Sequence, residues 1–138
     1  RKAVEVFGSQ AIIGSIVTRY HHNSWEVFID NAKHRTNKDA ISWAKELEAA
    51  GVGEIILSSI DKDGMKTGFE IELINRISKK SNVPIIAASG AGTNKHIVDV
   101  CEKTQCDAVA IGSILHYSIS NIANIKRDMK DSGLEVRL

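Results

Sequence analysis

The sequence predicts an α/β domain built on parallel strands, and three observations carry that prediction. Apolar runs rich in Ile and Val recur along the chain, each followed by polar turn residues and then a helical pattern. The later runs are nearly continuous in apolar side chains, as strands of a parallel sheet covered on its faces are. Three of the four loops that follow strands are rich in Gly, Ser and Asp, the place where parallel α/β architectures bind ligands.

The first strand is read over Ala11–Arg19. After it, Trp25–Asp30 alternates large apolar and polar side chains and reads as an arm of a short hairpin rather than a central strand. A helix is expected from Lys38 to Ala50, with Ile41, Ala44, Leu47 and Glu48 spaced along one face. Asn37 stands where an N-cap belongs and Gly51 where a C-terminal glycine belongs. Gly53–Ser59 is the second strand, followed by the polar loop Asp61–Gly68 and a helix over Glu70–Lys80 that carries Ile71, Ile74 and Ile77. Val83–Ala88 is the third strand; it opens on the single proline, at a strand start where a missing N–H is tolerated. The loop Ser89-Gly90-Ala91-Gly92 and a helix over Asn94–Lys103 follow. Asp107–Gly112 is the fourth strand, leading through Ser113 into a short helix and then a last helix over Ile119–Ser132.

The 138 residues carry 18 Lys and Arg against 17 Asp and Glu, a formal net charge of +1. That balance offers no broad electrostatic footprint for nucleic acid or an anionic membrane. A chain of this length buries roughly two thirds of the surface its unfolded form exposes, so it needs no disulfide or metal staple. No apolar run is long enough to span a bilayer and the first residues lack the apolar stretch of a signal peptide, so a cytoplasmic protein is expected. Cys101 and Cys106 have no second pair to complete a tetrahedral metal site and are read as buried free thiols. No metal and no cofactor is expected. Without a linker or low-complexity tract, residues 1–138 are read as a single domain.

The candidate site lies in the loops after the strands. Asp63-Gly64 offers a carboxylate and a tightly turning backbone. Ser89-Gly90-Ala91-Gly92 lets main-chain N–H groups approach a ligand with no Cβ between. Gly112-Ser113 combines bare backbone with a hydroxyl at a helix start, which favours an anion. Two successive strand ends of this kind suggest a phosphate cradle, although each loop alone reads better as a short βα turn. His21-His22 could bind a metal weakly, but adjacent side chains usually point apart and the pair is read as an exposed turn. His116 is read either as facing a ligand or as partly buried packing. Asp61 and Asp63 are read as an acid/base pair or as turn caps. Glu54, at a strand's amino end, is far from the active face and suits a partner or a salt bridge.

These residues resemble a known family. The runs Phe7-Gly8-Ser9-Gln10, Gly53–Gly64 with Gly68-Phe69, Pro84–Ala87 with Gly90-Ala91-Gly92, and Gly112–His116 are similar to the carboxy-terminal half of the cyclase subunit of imidazole glycerol phosphate synthase. That enzyme is a (βα)8 barrel of histidine biosynthesis. The resemblance implies a (βα)4 half of a TIM barrel, since a whole barrel takes about 250 residues. It also implies a lyase that takes ammonia from a glutaminase subunit and acts on a bis-phosphorylated ribonucleotide. Each half-barrel then grips one phosphate, and one aspartate from each half performs acid/base steps.

Carried onto this chain, the resemblance implies a phosphate grip of Asp63, Gly64, Gly90, Gly112 and Ser113, with Ser58 and Ser89 near the substrate. Asp63 is expected to orient the loop or meet ligand hydroxyls, because like charges repel. Gln10 falls at the entrance to the first strand, and Glu54 on the face where the glutaminase docks and ammonia enters. Two departures stand out. Ser15-Ile16-Val17 replaces the family's Ala/Ser-Ile-Asp, and Val17 cannot transfer a proton. Ala88-Ser89-Gly90 replaces Ser-Gly-Gly. No catalytic residue is therefore assigned, and the chain is expected to be inactive alone. An isolated half-barrel exposes sheet edges and an apolar face, so a homodimer of half-barrels is expected, with a non-catalytic phosphate-binding or glutaminase-docking module as the other reading.

Overall fold

The computed structural model describes residues 1–137 as six helices and one six-stranded sheet. Helix α1 (Lys2–Phe7) and a 3-10 turn (Ser9–Ala11) precede the sheet, and neither was expected from the sequence. Strands β1 (Ile13–His21), β2 (Ser24–Ile29) and β3 (His34–Asp39) come next. Helix α2 (Ala40–Ala49), strand β4 (Glu54–Ser59), helix α3 (Ile71–Ser78) and strand β5 (Ile85–Ala87) follow. The chain ends on α4 (Asn94–Lys103), β6 (Ala108–Val109), α5 (Ser113–His116) and α6 (Ile122–Asp131). The strand order is β3-β2-β1-β4-β5-β6. Strands β1, β4, β5 and β6 are mutually parallel, while β2 and β3 add antiparallel strands beyond β1. The sheet does not close, and the whole is half of a TIM-barrel-like α/β fold.

The helices cover one face of this sheet. Inward side chains alternate along β1 and β4, so Ile16, Ile55 and Leu57 are buried against Leu73, Ile74 and Ile97. The opposite face has no such cover. Strand register lines up Ser15, Ile56, Ile86 and Ala108 across it, flanked by Ile13, which is 54% exposed.

Strand β2 corrects the sequence reading. Trp25–Asp30 does form a hairpin arm with β1, yet it lies inside the sheet, because the polar segment His34–Asp39 pairs along its other side. No alternation marks that segment as a strand. Side-chain bonds help to hold it: the buried carboxylate of Glu26 accepts from Arg35 Nε and Nη2 and from the Asn37 N–H at 3.0 Å, and Thr36 Oγ1 donates to Val27 O at 2.7 Å. Asn37 is therefore not the cap of α2. It sits in the left-handed region (φ 56°) at an irregularity in β3, and Asp39 caps the helix by accepting from the Ser42 N–H at 2.9 Å. Gly51, at φ 91°, does follow the helix end as expected. The last helix begins at Ile122, capped by Asn121, rather than at Ile119.

The Glu26–Arg35 pair gives a pH prediction. The Arg35 hydrogen bonds, with the Asn37 N–H, outweigh burial and hold the Glu26 carboxyl below its ordinary value of 4.5. A depressed folded value means stabilisation that is complete above the unfolded value and lost as pH falls through the folded one. The thermal midpoint of the native chain should thus exceed that of Glu26→Gln above about pH 4.5, and the difference should shrink toward zero in stronger acid. A pH-independent difference would show that the hairpin does not draw on this ion pair.

Cys101, in α4, and Cys106, in the turn beyond it, are free and half-buried rather than buried. The neighbouring Cys101 thiol lowers the Cys106 thiol, and Cys106 together with burial pushes the Cys101 thiol up. No helix among the described residues is long and apolar enough to cross a membrane.

Candidate functional site

Three loops converge where the parallel strands end. The loop after β4 starts by folding back on its own strand: Lys62 N–H and Asp63 N–H both donate to Ser59 O, at 3.2 and 2.9 Å. Asp61 reaches the other way. Its carboxylate accepts from the Tyr20 N–H at 2.8 Å and lies 3.6 Å from Arg19 Nε, tying the loop to the end of β1. Asp61 thus clamps a strand end, while Asp63 is left facing the site. The far end of the loop is bound to the next one, since Gly68 N–H donates to Gly90 O at 2.9 Å.

The loop after β5 needs glycine for space as well as for backbone angle. Gly90 lies at φ 100°, and a Cβ there would collide with the Gly68 carbonyl; a Cβ on Gly92 would collide with the Lys66 carbonyl. Two backbones pass in direct contact, which only bare glycine permits. Thr93 caps α4 by accepting from the His96 N–H, and His96 Nδ1 accepts from the Gly92 N–H at 3.2 Å, holding the loop from behind. The loop after β6 turns into the four-residue helix α5, whose Gly112 carbonyl accepts from Leu115 and His116. The first N–H groups of such a turn have no helical partner.

The result is a cleft of about 90 Å³ that Asp63, Gly64, Gly90, Gly112 and Ser113 all line. Ser89 lines it too, and also a wider, more open cavity of about 450 Å³ with Val17, Ser58, Ser59 and Asp63. Asp63 and Ser89 are the bridge between the two. Val17 sits on the uncovered face of β1, half-buried beside Ser58, its Cα partner on β4. Glu54 is at the opposite end of β4, paired with Ile13 and outside both cavities. Gln10 lies in the 3-10 turn ahead of β1.

Other residues behave differently from the sequence reading. His116 is exposed and does not line the cleft; it stacks edge-on against Tyr117, with ring centroids 4.9 Å apart. His21 and His22 are exposed as expected, but their rings do not point apart: a left-handed His22 (φ 49°) brings the centroids to 3.9 Å. Among the described residues no group of three or more His, Cys, Asp or Glu could hold a metal ion. Three features escaped the sequence reading. Lys66 lines the cleft, a role one lysine in a polar loop does not announce. The hydroxyl of Ser59 is buried with no partner at the wider cavity. Burial raises the Glu70 carboxyl, which caps no N–H of α3, above its ordinary value.

Comparison with known proteins agrees with this architecture. A sequence model of the family described as "Histidine biosynthesis protein" matches residues 1–121. Curated proteins similar to the chain include the imidazole glycerol phosphate synthase subunit HisF of Clostridium botulinum (strain Okra / Type B1), 41% identical over 140 residues, covering 100% of this chain and 55% of the relative. The subunit of the same name from Dehalococcoides mccartyi (strain ATCC BAA-2100) is 42% identical over 137 residues, 99% of this chain and 54% of the relative. That of Bacillus cereus (strain G9842) is 40% identical over 138 residues, 99% and 55% respectively. The chain spans about half the length of the curated relatives it matches.

Proposed function

The chain belongs to the histidine biosynthesis protein family, and on that footing we propose that it is a cyclase-type half-barrel whose cleft binds one phosphate of a phosphorylated sugar or ribonucleotide. The observation that carries this is convergence: five positions from three loops, 63–64, 90 and 112–113, line one small cleft. Backbone approach at Gly90 and Gly112, the Ser113 hydroxyl and the unpaired amides at the start of α5 supply neutral donors for an anion. Asp63 faces ligand hydroxyls from the cleft's border with the wider cavity, and Ser58 and Ser89 line the path of the substrate there. Titration with inorganic phosphate, followed by amide NMR, should give saturable shifts at Gly90, Gly112 and Ser113; shifts scattered elsewhere or none at all would sink the reading.

The second part of the proposal is that this chain does not turn over the family's substrate by itself. Val17 presents only methyl groups to the cavity it shares with Ser58 and Asp63, where the family carries an aspartate, and a hydrocarbon side chain moves no proton. The expected result is no ammonia-dependent turnover by the native chain, with turnover appearing only in a pair of Val17→Asp copies, each supplying one of the two carboxylates. Turnover by the native chain would overturn the argument.

Residues 1–138 act as a single domain in this reading, and a second copy covers the open sheet face to complete a barrel-like assembly. A glutaminase subunit is the partner proposed for the amino ends of the strands, near Glu54. Docking alone, without turnover, is the function left if phosphate binds and Val17→Asp adds nothing.

A further inference from the structure

The cleft has a charge balance that its glycines and Ser113 do not settle. Among the described residues lining it, Asp63 is the only carboxylate and Lys66 the only cation. A phosphate monoester carries between one and two negative charges near neutral pH, so Asp63 opposes its entry and every donor but Lys66 is neutral. The backbone of Lys66 is fixed: it lies at φ 59° with its carbonyl packed against Gly92. Its side chain is placed by an aromatic ring. Lys66 Nζ stands 4.2 Å from the centroid of Tyr117, and the Tyr117 N–H donates to Ser113 O at 3.0 Å. The residue that holds the ammonium is thus anchored on the same turn that presents Gly112 and Ser113.

We propose that Lys66 is the anion-binding cation of this cleft and that Tyr117 positions it at the mouth. The proposal rests on the phosphate reading of the cleft. A free lysine side chain loses several rotatable bonds' worth of freedom when it binds; one already stacked on a ring loses less, which raises affinity without a new contact. Both side chains are exposed, and the stacking contact is weak enough for the ammonium to lean toward a ligand without breaking the fold.

The test uses the full chain and inorganic phosphate as the probe, with calorimetry for affinity and amide NMR for location. Lys66→Met should weaken binding by about tenfold or more, the loss of a charge-assisted hydrogen bond, and Lys66→Arg should restore most of it. Tyr117→Leu should weaken it by about two- to fivefold and Tyr117→Phe should leave it unchanged. The upfield shift of the Lys66 ε-methylene protons over the Tyr117 ring should vanish in Tyr117→Leu, a readout that needs no ligand. Phosphate shifts at Gly90, Gly112 and Ser113 in the native chain with equal affinity in Lys66→Met would overturn the assignment of Lys66 and leave the phosphate reading standing. Absence of those shifts in the native chain would overturn both. Equal thermal midpoints across the variants separate either outcome from misfolding.

Discussion

Gly90→Ala is expected to lower stability by about 2–4 kcal/mol and the thermal midpoint by roughly 10 °C. Two penalties combine at this residue. Alanine at φ 100° is strained, at a cost of about 1 kcal/mol. The new methyl group also occupies the position of the Gly68 carbonyl, so either the Gly68–Gly90 hydrogen bond breaks or the loop after β4 moves away. Because Gly90 is buried, there is no solvent side into which the methyl can turn. The same displacement should open the cleft and abolish phosphate shifts at Gly112, a residue on a different loop. Two controls test the cause. Gly64→Ala has a positive φ of 70° but open space, and should cost only the backbone strain, about 1 kcal/mol. Gly112→Ala has neither obstacle and should be close to neutral in stability. Equal losses at the three glycines would show that loop contact is not what demands glycine at residue 90.

In the homodimer proposed above, Ile56→Asp is expected to weaken association by about a hundredfold or more and leave a monomer. Ile56 stands mid-sheet on the uncovered face, between Ser15 and Ile86 in register. Helices shield the other face only, so the substitution leaves the packed core of Ile55, Leu57 and Leu73 untouched. A second copy seated on this face would enclose the new carboxylate without a cation to pair it, and burial of an unpaired charge costs several kcal/mol. A stable assembly also needs about 1,000 Å² or more of buried surface, which an entire sheet face with its flanking loops can supply. Sedimentation at micromolar concentration checks both halves of the claim: dimer for the native chain, folded monomer for Ile56→Asp. A compact native monomer would remove the homodimer, and with it the second copy as the cover of this face.

The parallel core was legible because its strands are dense in Ile and Val and its loops are punctuated by Gly and Asp. Helix α4 agrees with the sequence at both ends, since Thr93 caps it in the usual way and Thr104 closes it. Strand β3 was not legible. His34–Asp39 has no apolar alternation, and its pairing depends on a buried glutamate eight residues away from the nearest of them in sequence and beside them only in space. That unseen strand is also why the helix cap moved from Asn37 to Asp39. The cleft residues were legible one loop at a time, as glycines and hydroxyls at strand ends; Lys66 was not, because Tyr117 lies 51 positions further along the chain.

By itself the sequence determined the α/β class, the parallel strands and the glycine-rich loops that follow them, because each of these is written in residues that are neighbours in the chain. Only the tertiary structure decided that three of those loops share one cleft, that a polar segment joins the sheet, that Asp61 clamps β1 while Asp63 faces the site, and that one side of the sheet is left bare. Those depend on distances between segments far apart in sequence, which are set by strand register and by contacts between loop backbones rather than by any local pattern.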